Sequence, residues 1–338
     1  MQTILVTGGA GFIAHHFVDK ILATTDWNVV CLDRLDYSGN LNRLHEVVNK
    51  YPPTVQKRVK IVHHDLKAEL NPQIIAAIGT VDYIAHIAAA SHVDRSIDDP
   101  MSFVMDNVVG TTNILNYARL CDRLEKFIYF STDEIFGPAP DGVKYSENDR
   151  YNSTNPYSAS KAGGEEMAVA FENTYGLPVI ITHTMNVFGE RQHPEKFIPM
   201  CIKKIRDGEV VTIHSNPEKT KAGSRHYIHA EDVSDAVMFL LNSTITSHID
   251  FGGARCPKFN IVGSTELDNL ELAQLISQTV DAPLQHEMMD FHSARPGHDL
   301  RYALSGDKLA QMGWTPQPVE QRLQQVVQWT LDNPRWLM

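Results

Sequence analysis

The first half of the chain alternates short β-branched runs with helix-length amphipathic segments. Runs at 3–6 (Thr-Ile-Leu-Val), 29–32, 59–62, 81–87, 127–130 and 179–182 have the length and residue types of strands. Between them the spacing predicts helices over 11–24, 40–50, 100–121 and 156–175. Strand and helix in strict turn imply βαβ units, hence a parallel sheet covered on both faces. Beyond residue 186 the alternation becomes irregular. Amphipathic helices are expected over 195–207, 231–242, 266–280 and 318–332, separated by short strands and Pro-rich turns, which predicts a smaller second domain. The polar stretch 137–155 is longer than most connectors and is expected to lie over a site.

Composition narrows the class. The chain has 338 residues, 43% hydrophobic and 21% charged, which excludes a disordered or collagen-like protein. Its 30 Lys and Arg against 41 Asp and Glu give a net charge of −11, with no basic run to track a phosphate backbone. Nucleic acid is therefore not an expected partner, and any phosphate must be held locally. No stretch approaches the roughly 18 apolar residues of a membrane span. Residues 2–7 already read as a strand, leaving no room for a signal peptide, so the expected location is the cytoplasm. Four cysteines without a CxxC read as buried free thiols. Sixteen histidines without an HExxH or comparable cluster give no metal site, and His63-His64 and the pair His226 and His229 read as structural.

Candidate chemistry begins directly after the first strand, at Thr7-Gly8-Gly9-Ala10-Gly11-Phe12-Ile13-Ala14. Gly8 and Gly11 let backbone approach a phosphate at a helix N-terminus, and Ala14 keeps the third position small. Asp33 closes the second strand at the distance expected of the acid that binds a ribose diol. Together they indicate a Rossmann-type doubly wound parallel sheet that binds a dinucleotide, followed by the smaller C-terminal α/β domain. A carboxylate at Asp33 repels a 2′-phosphate and so favours NAD over NADP; Arg34 beside it pulls the other way. Asp65 is read either as a contact to the adenine end or as a turn aspartate.

Tyr157 and Lys161 lie four residues apart behind Asn155-Pro156, a helix-capping pair, and so share one helical face. A phenol is a poor base near neutrality unless a nearby cation favours the phenolate. Lys161 and a bound nicotinamide cation are the expected sources. By spacing alone such a pair is common; a dinucleotide fold upstream and Ser131-Thr132 ending a strand make it a catalytic candidate.

These segments resemble the extended short-chain dehydrogenase/reductase family, and within it the nucleotide-sugar 4,6-dehydratases, above all those acting on dTDP-glucose. The resemblance spans nearly the whole chain. It is carried by residues 35–41 (LDYSGNL), 91–97 (SHVDRSI), 130–137 (FSTDEIFG), 156–162 (PYSASKA), 193–199 (HPEKFIP) and 295–302 (RPGHDLRY). The discriminating piece is Thr132-Asp133-Glu134. Sugar 4-epimerases lack the acid pair, GDP-mannose dehydratases typically carry Thr-Ser-Glu and CDP-glucose dehydratases Thr-Asp-Lys, so Thr-Asp-Glu points to dTDP- or UDP-glucose. The resemblance implies oxidation at C4 of the hexose, elimination of water across C5 and C6, and return of hydride to C6, with the cofactor NAD regenerated. It assigns Thr132, Tyr157 and Lys161 to oxidation, Glu134 as base at C5 and Asp133 as acid at the C6 hydroxyl. From spacing alone the acid pair would read as a solvated strand end.

The resemblance further places Ser91, His92, Asn186, Glu195, Lys196, Arg225, Arg295 and His298 at the substrate, with Asp299 beside the last. Surface salt bridging is the alternative for each arginine, and a solvated helix start for Glu195 and Lys196. The implied organisation is an NAD-binding domain over 1–185 with 228–250 returning to it, and a nucleotide-sugar domain over 186–227 and 251–338. Three departures from the family pattern stand out: Ala14 for a glycine, Ala90 where a glutamate is common, and a longer, charged stretch at 215–224. Gly163 and Gly164 inside a predicted helix suggest close helix approach, read as the homodimer interface of the relatives or as an intramolecular contact. The alternative functions are an NDP-sugar 4-epimerase and a non-catalytic dinucleotide sensor.

Overall fold

A computed structural model describes residues 1–245, 256–290 and 300–338. The six expected strands form as β1 (Thr3–Thr7), β2 (Asn28–Asp33), β3 (Val59–His63), β4 (Tyr83–His86), β5 (Lys126–Thr132) and β6 (Val179–Thr184). A seventh strand, Lys258–Ile261, was not expected and completes the sheet in the order Lys258–Ile261, β6, β5, β4, β1, β2, β3. β1 pairs in parallel with both β2 and β4, β2 with β3, and β4 with β5. The winding direction therefore reverses between β1 and β4, which is where doubly wound sheets bind ligands, at the carboxyl ends of their strands. Every residue of β4, β5 and β6 is buried, as a sheet covered on both faces requires.

The chain divides into two compact units. The first comprises Met1–Ile135, Asn155–His183 and Ser234–Phe259, the second Phe136–Thr154, Thr184–Val233 and Asn260–Met338. The core of the first packs Leu5, Ile84, Phe127 and Ile181 of the sheet against Ile114, Leu115 and Phe171 of its helices. That of the second gathers Phe188, Ile202, Val211, Leu272, Leu323 and Val327.

Most helices form where the apolar spacing places them: Phe12–Thr24, Leu41–Val48, Pro156–Tyr175, Phe197–Arg206, Ala230–Asn242 and Val319–Asp332. Two expectations need adjustment. The segment 100–121 is helical from Pro100 to Ala118, with a single π turn at Met105–Val109 set into it. Residues Glu266–Asp268 form a strand antiparallel to Ser224–His226, and the helix begins only at Asn269. The cause is Asp268, whose carboxylate accepts from the Leu270 and Glu271 N–H groups while Glu271 reaches back to the Asp268 N–H, a reciprocal cap that fixes the start. Residues 137–155, read as a long loop, fall in the second unit up to Thr154 and are tied within it by Arg301. Its Nη1 donates to the carbonyls of Pro140 (2.7 Å) and Val143 (2.8 Å), while Nε and Nη2 grip Glu266 at 2.7 and 2.9 Å. Of the four cysteines, Cys121 is only partly buried; the others are buried, and all are free. Among the described residues no helix is long and apolar enough to cross a membrane.

Candidate active site

At the switch point, Gly8 adopts a left-handed conformation (φ +70°), and a Cβ there would sit 2.9 Å from the Ala88 Cα. Only glycine allows the turn to pack so closely on the chain leaving β4. The turn ends at Gly11, the N-cap of the helix Phe12–Thr24, and no side chain caps that end. The amides heading the helix are thus left to an external acceptor. Ala14 is fully buried. Asp33 is held facing this turn: its Oδ2 accepts from the Ala10 N–H at 2.9 Å and its Oδ1 from the Leu35 N–H at 2.7 Å. These features fit a dinucleotide: closely approaching backbone, an uncapped helix start, and a carboxylate at the end of β2. Asp65 makes an Asx turn, accepting from the Lys67 N–H at 3.0 Å.

Beneath the turn runs a buried hydrogen-bond chain that the sequence reading missed. Thr111 Oγ1 donates to the Asn107 carbonyl at 2.6 Å and so accepts from His86 Nε2 at 3.0 Å. His86 Nδ1 then accepts from the Thr7 hydroxyl at 2.8 Å, which itself accepts from the Ala88 N–H at 3.1 Å. This order assigns His86 the neutral Nε2–H tautomer. Burial, reinforced by the Lys161 charge, pulls its pKa down to about 3, in agreement. A histidine closing an otherwise apolar strand was the available signal.

β5 ends at Thr132 and turns at once into a single 3-10 turn, Asp133–Phe136. Thr132 Oγ1 donates to Asp133 Oδ1 at 3.0 Å and accepts from the Glu134 N–H at 3.4 Å. Asn155 joins this turn to the helix Pro156–Tyr175: its Nδ2 donates to Glu134 Oε2 at 3.2 Å, while its Oδ1 caps the helix on the Ser158 N–H at 2.8 Å. Tyr157, one residue into that helix, packs on Val93 and Phe103, and its N–H donates to Ser96 Oγ at 3.1 Å. One turn on, the Lys161 ammonium donates to the Phe130 carbonyl and lies 4.6 Å over the Tyr129 ring.

Both reactive groups are buried. Burial lowers Lys161 to about 7, against the Glu165 carboxylate, which raises it. Burial and then Glu134 push the Tyr157 phenol well above its ordinary value, with the neighbouring Thr132 acting the other way. The surrounding protein thus favours the neutral phenol, and forming its phenolate calls for further positive charge. The Ser131 hydroxyl at the same strand end is buried without a partner among the described residues, the kind of orphan that a bound group satisfies.

Asn107, also missed, sits in the π turn. Its Oδ1 accepts from the Ala90 N–H (2.8 Å) and its Nδ2 donates to the Ala90 carbonyl (3.0 Å) and Ser160 Oγ (2.9 Å). It thereby ties the segment carrying Ser91 and His92 to the catalytic helix; His92 Nδ1 lies 3.9 Å from Asp94. A π turn of this kind, set inside an α-helix, accounts for the irregularity in the 100–121 segment. The polar pair Asp106-Asn107 between apolar Val104-Met105 and Val108-Val109 was the signal. Gly164 is explained inside the chain: a Cβ there would come 2.4 Å from the Asn107 carbonyl oxygen and 2.5 Å from the Tyr129 hydroxyl. Gly163 faces Val108 Cγ2 at 3.1 Å. Neither glycine needs an interface between copies to account for it.

The first unit thus gathers Thr132, Asp133, Glu134, Tyr157 and Lys161. Asn186, Glu195, Lys196 and Arg225 belong to the second. Asn186 is exposed, its carbonyl accepting from the Ile228 N–H at 3.0 Å. Glu195 lies 3.6 Å from His193 Nδ1, and Lys196 is the N-cap residue of Phe197–Arg206. Arg225 Nη1 donates to the Ser224 and Leu300 carbonyls, both at 2.7 Å, and its guanidinium lies 4.5 Å over the Tyr302 ring. Arg295, His298 and Asp299 lie outside the described residues.

A tyrosine and a lysine one helical turn apart, packed beside a strand-end threonine near the switch point of a doubly wound sheet, is the arrangement of the short-chain dehydrogenases/reductases. Within that class the chain belongs to the GDP-mannose 4,6 dehydratase family, whose model matches residues 5–327. It is 34% identical to the dTDP-glucose 4,6-dehydratase of Escherichia coli, over 98% of this chain and 94% of that one. Its fold matches that of a dTDP-glucose 4,6-dehydratase from Streptomyces venezuelae solved with NAD bound, at TM-score 0.83 and 34% identity, covering 99% and 98% of the two chains. The UDP-glucose 4-epimerase of Thermus thermophilus, also solved with NAD, superposes at TM-score 0.82 with 25% identity, covering 97% and 98%.

Proposed function

We propose that this protein converts an NDP-glucose, dTDP-glucose or UDP-glucose, to the NDP-4-keto-6-deoxyglucose by an NAD-dependent 4,6-dehydration, which makes it a hydro-lyase. The observation that carries this reading is the acid pair Asp133 and Glu134. It opens a turn directly after Thr132, with Glu134 held by the same Asn155 that caps the Tyr157 helix.

The backbone of Gly8, Gly11, Phe12 and Ile13 would hold the pyrophosphate of NAD, Asp33 its ribose and Asp65 its adenine end, with Tyr157 and Lys161 toward the nicotinamide. Bound there, NAD would supply the hydride acceptor for C4 and donor for C6, and positive charge beside Tyr157. Tyr157 takes the C4 hydroxyl proton, with Thr132 beside it. The resulting ketone acidifies C5. Glu134 removes the C5 proton while Asp133 protonates the departing C6 hydroxyl, and a proton returns to C5 as hydride arrives at C6. Ser91, His92, Asn186, Glu195, Lys196, Arg225, Arg295 and His298 are assigned to the hexose and the nucleotide diphosphate on the family resemblance. On the same basis the first unit is the cofactor-binding part and the second the nucleotide-sugar part. A cytoplasmic homodimer is the proposed working form. Its support is a row of apolar side chains exposed at Ile97, Met101, Val104 and Met105, on the segment that packs against the helix Pro156–Tyr175, the one that relatives are expected to pair.

The test is to incubate the protein with dTDP-, UDP-, CDP- and GDP-hexoses and weigh the products. Loss of one water from a glucose nucleotide supports the reading. A product of unchanged mass and altered C4 stereochemistry would replace it with the epimerase, and no turnover with any hexose would favour a dinucleotide sensor.

A further inference from the structure

The end of β2 carries a second device beside Asp33. Arg34 presents a guanidinium next to the carboxylate assigned to the adenosine ribose, where an arginine in this fold would ordinarily receive a 2′-phosphate. Here it is already occupied. Its Nε and Nη2 donate to Asp36 Oδ2 at 2.8 and 2.6 Å, Nη2 also donates to Asp106 Oδ2 at 3.0 Å, and Nη1 donates to Asp106 Oδ1. Nη1 also lies 3.6 Å from Asp65 Oδ1. A guanidinium has five N–H donors in a fixed fork, and carboxylates face it on every side of that fork. Asp106, with a side chain 10% exposed, comes from the π turn; Asp36 is fixed in turn by the Ser38 N–H (2.9 Å) and hydroxyl (2.7 Å). Burial opposes ionisation of Asp36, but Ser38 and Arg34 hold its carboxyl below the usual range. Asp36, Asp65 and Asp106 pair with Arg34 and Lys67, and the one further cation of this turn, the buried Arg43, donates to the Ala10 and Ser38 carbonyls. Among the described residues, with Asp33, four carboxylates therefore stand against three cations, and this rim keeps a surplus of negative charge.

We propose that Asp36 and Asp106 are cofactor-specificity residues: by clamping Arg34 they withhold it from a 2′-phosphate and leave the rim negative. Asp33 repels the phosphate directly; the clamp removes the cation that would otherwise compensate. This rests on the NAD reading above. Capturing Arg34 would require a phosphate to displace two carboxylates already in charge-assisted contact with it.

The test equilibrates the purified protein with an equimolar excess of NAD and NADP, then releases and quantifies the bound nucleotides. Asp36→Asn/Asp106→Asn is expected to shift the bound NADP to NAD ratio toward NADP by about tenfold or more, the worth of one charged hydrogen bond regained. Each single variant should shift it less, and adding Arg34→Ala to the double variant should return it to near the parent value. A ratio in the double variant within twofold of the parent overturns the proposal. So does a gain that survives Arg34→Ala, because charge removal alone would then explain it. The single variants serve in the same way if circular dichroism shows the double variant unfolded. A parent protein that retains neither nucleotide refutes the cofactor reading itself, a result distinct from an unchanged ratio.

Discussion

At the scale of single residues, the site separates two chemistries on one short stretch of chain. Oxidation at C4 needs Thr132, Tyr157 and Lys161, and elimination additionally needs Asp133 and Glu134. Tyr157→Phe should therefore leave the substrate untouched. Asp133→Asn and Glu134→Gln should permit oxidation while slowing loss of water by roughly 10²–10⁴-fold, the usual worth of a general acid or base. Mass analysis after a single turnover should find a 4-keto nucleotide that retains its C6 hydroxyl. Dehydrated product at the parent rate in both acid variants would remove the pair from the mechanism. Lys161 makes a different prediction. Its folded pKa of about 7 lies below the ordinary lysine value, so between about pH 7 and the lysine range the unfolded chain binds a proton that the folded chain does not. Stability contributed by this position must therefore rise with pH across that window. Below it, the folded state bears the full cost of a buried cation. The urea stability of the parent relative to Lys161→Met should climb between pH 7 and 10, while turnover of the variant falls by 10² or more at every pH. A flat difference would mean that Lys161 is not held as a buried, depressed amine.

Individual elements show which parts of this arrangement were legible. Thr132-Asp133-Glu134, Tyr157 and Lys161 are near one another in sequence or one helical turn apart, so local spacing brought them to notice. His86 and Asn107 act through partners far along the chain, Thr7 and Ser160 among them, and no window of sequence contains both ends of those contacts. The strand Lys258–Ile261 was missed because Lys258 and Asn260 interrupt the apolar run by which the other six were recognised. The two adjacent glycines of the Pro156–Tyr175 helix looked equivalent on paper and are not. Gly164→Ala would drive a methyl into a backbone carbonyl and a phenol oxygen, and should cost roughly 1–3 kcal/mol or more in chemical denaturation. Gly163→Ala meets only the tip of Val108 and gains helix propensity, so it should stay within about 1 kcal/mol of the parent. Equal losses at both positions would contradict the packing described for this helix.

Across the whole molecule, the alternating first half was read with little error because a sheet buried on both faces imposes its period on the sequence. The second unit was read less well. Its strands are as short as two or three residues and pair within separate two-stranded ladders, where alternation has no length to develop. The proposed homodimer is tested at this scale. Met101→Glu, at a side chain 65% exposed, should leave the folded monomer intact but shift sedimentation at micromolar concentration from dimer toward monomer. A parent that already sediments as a monomer ends the proposal.

The order in which the two units are threaded also bears on how the protein is made. Its first unit takes its segments from Met1–Ile135, Asn155–His183 and Ser234–Phe259, with stretches of the second spliced between them. A nascent chain leaving the ribosome therefore cannot finish its first unit before the strand Lys258–Ile261 has emerged. By then it has already released two long segments whose own core still awaits the helices near its end. Vectorial synthesis therefore completes neither unit until the strand Lys258–Ile261 has emerged.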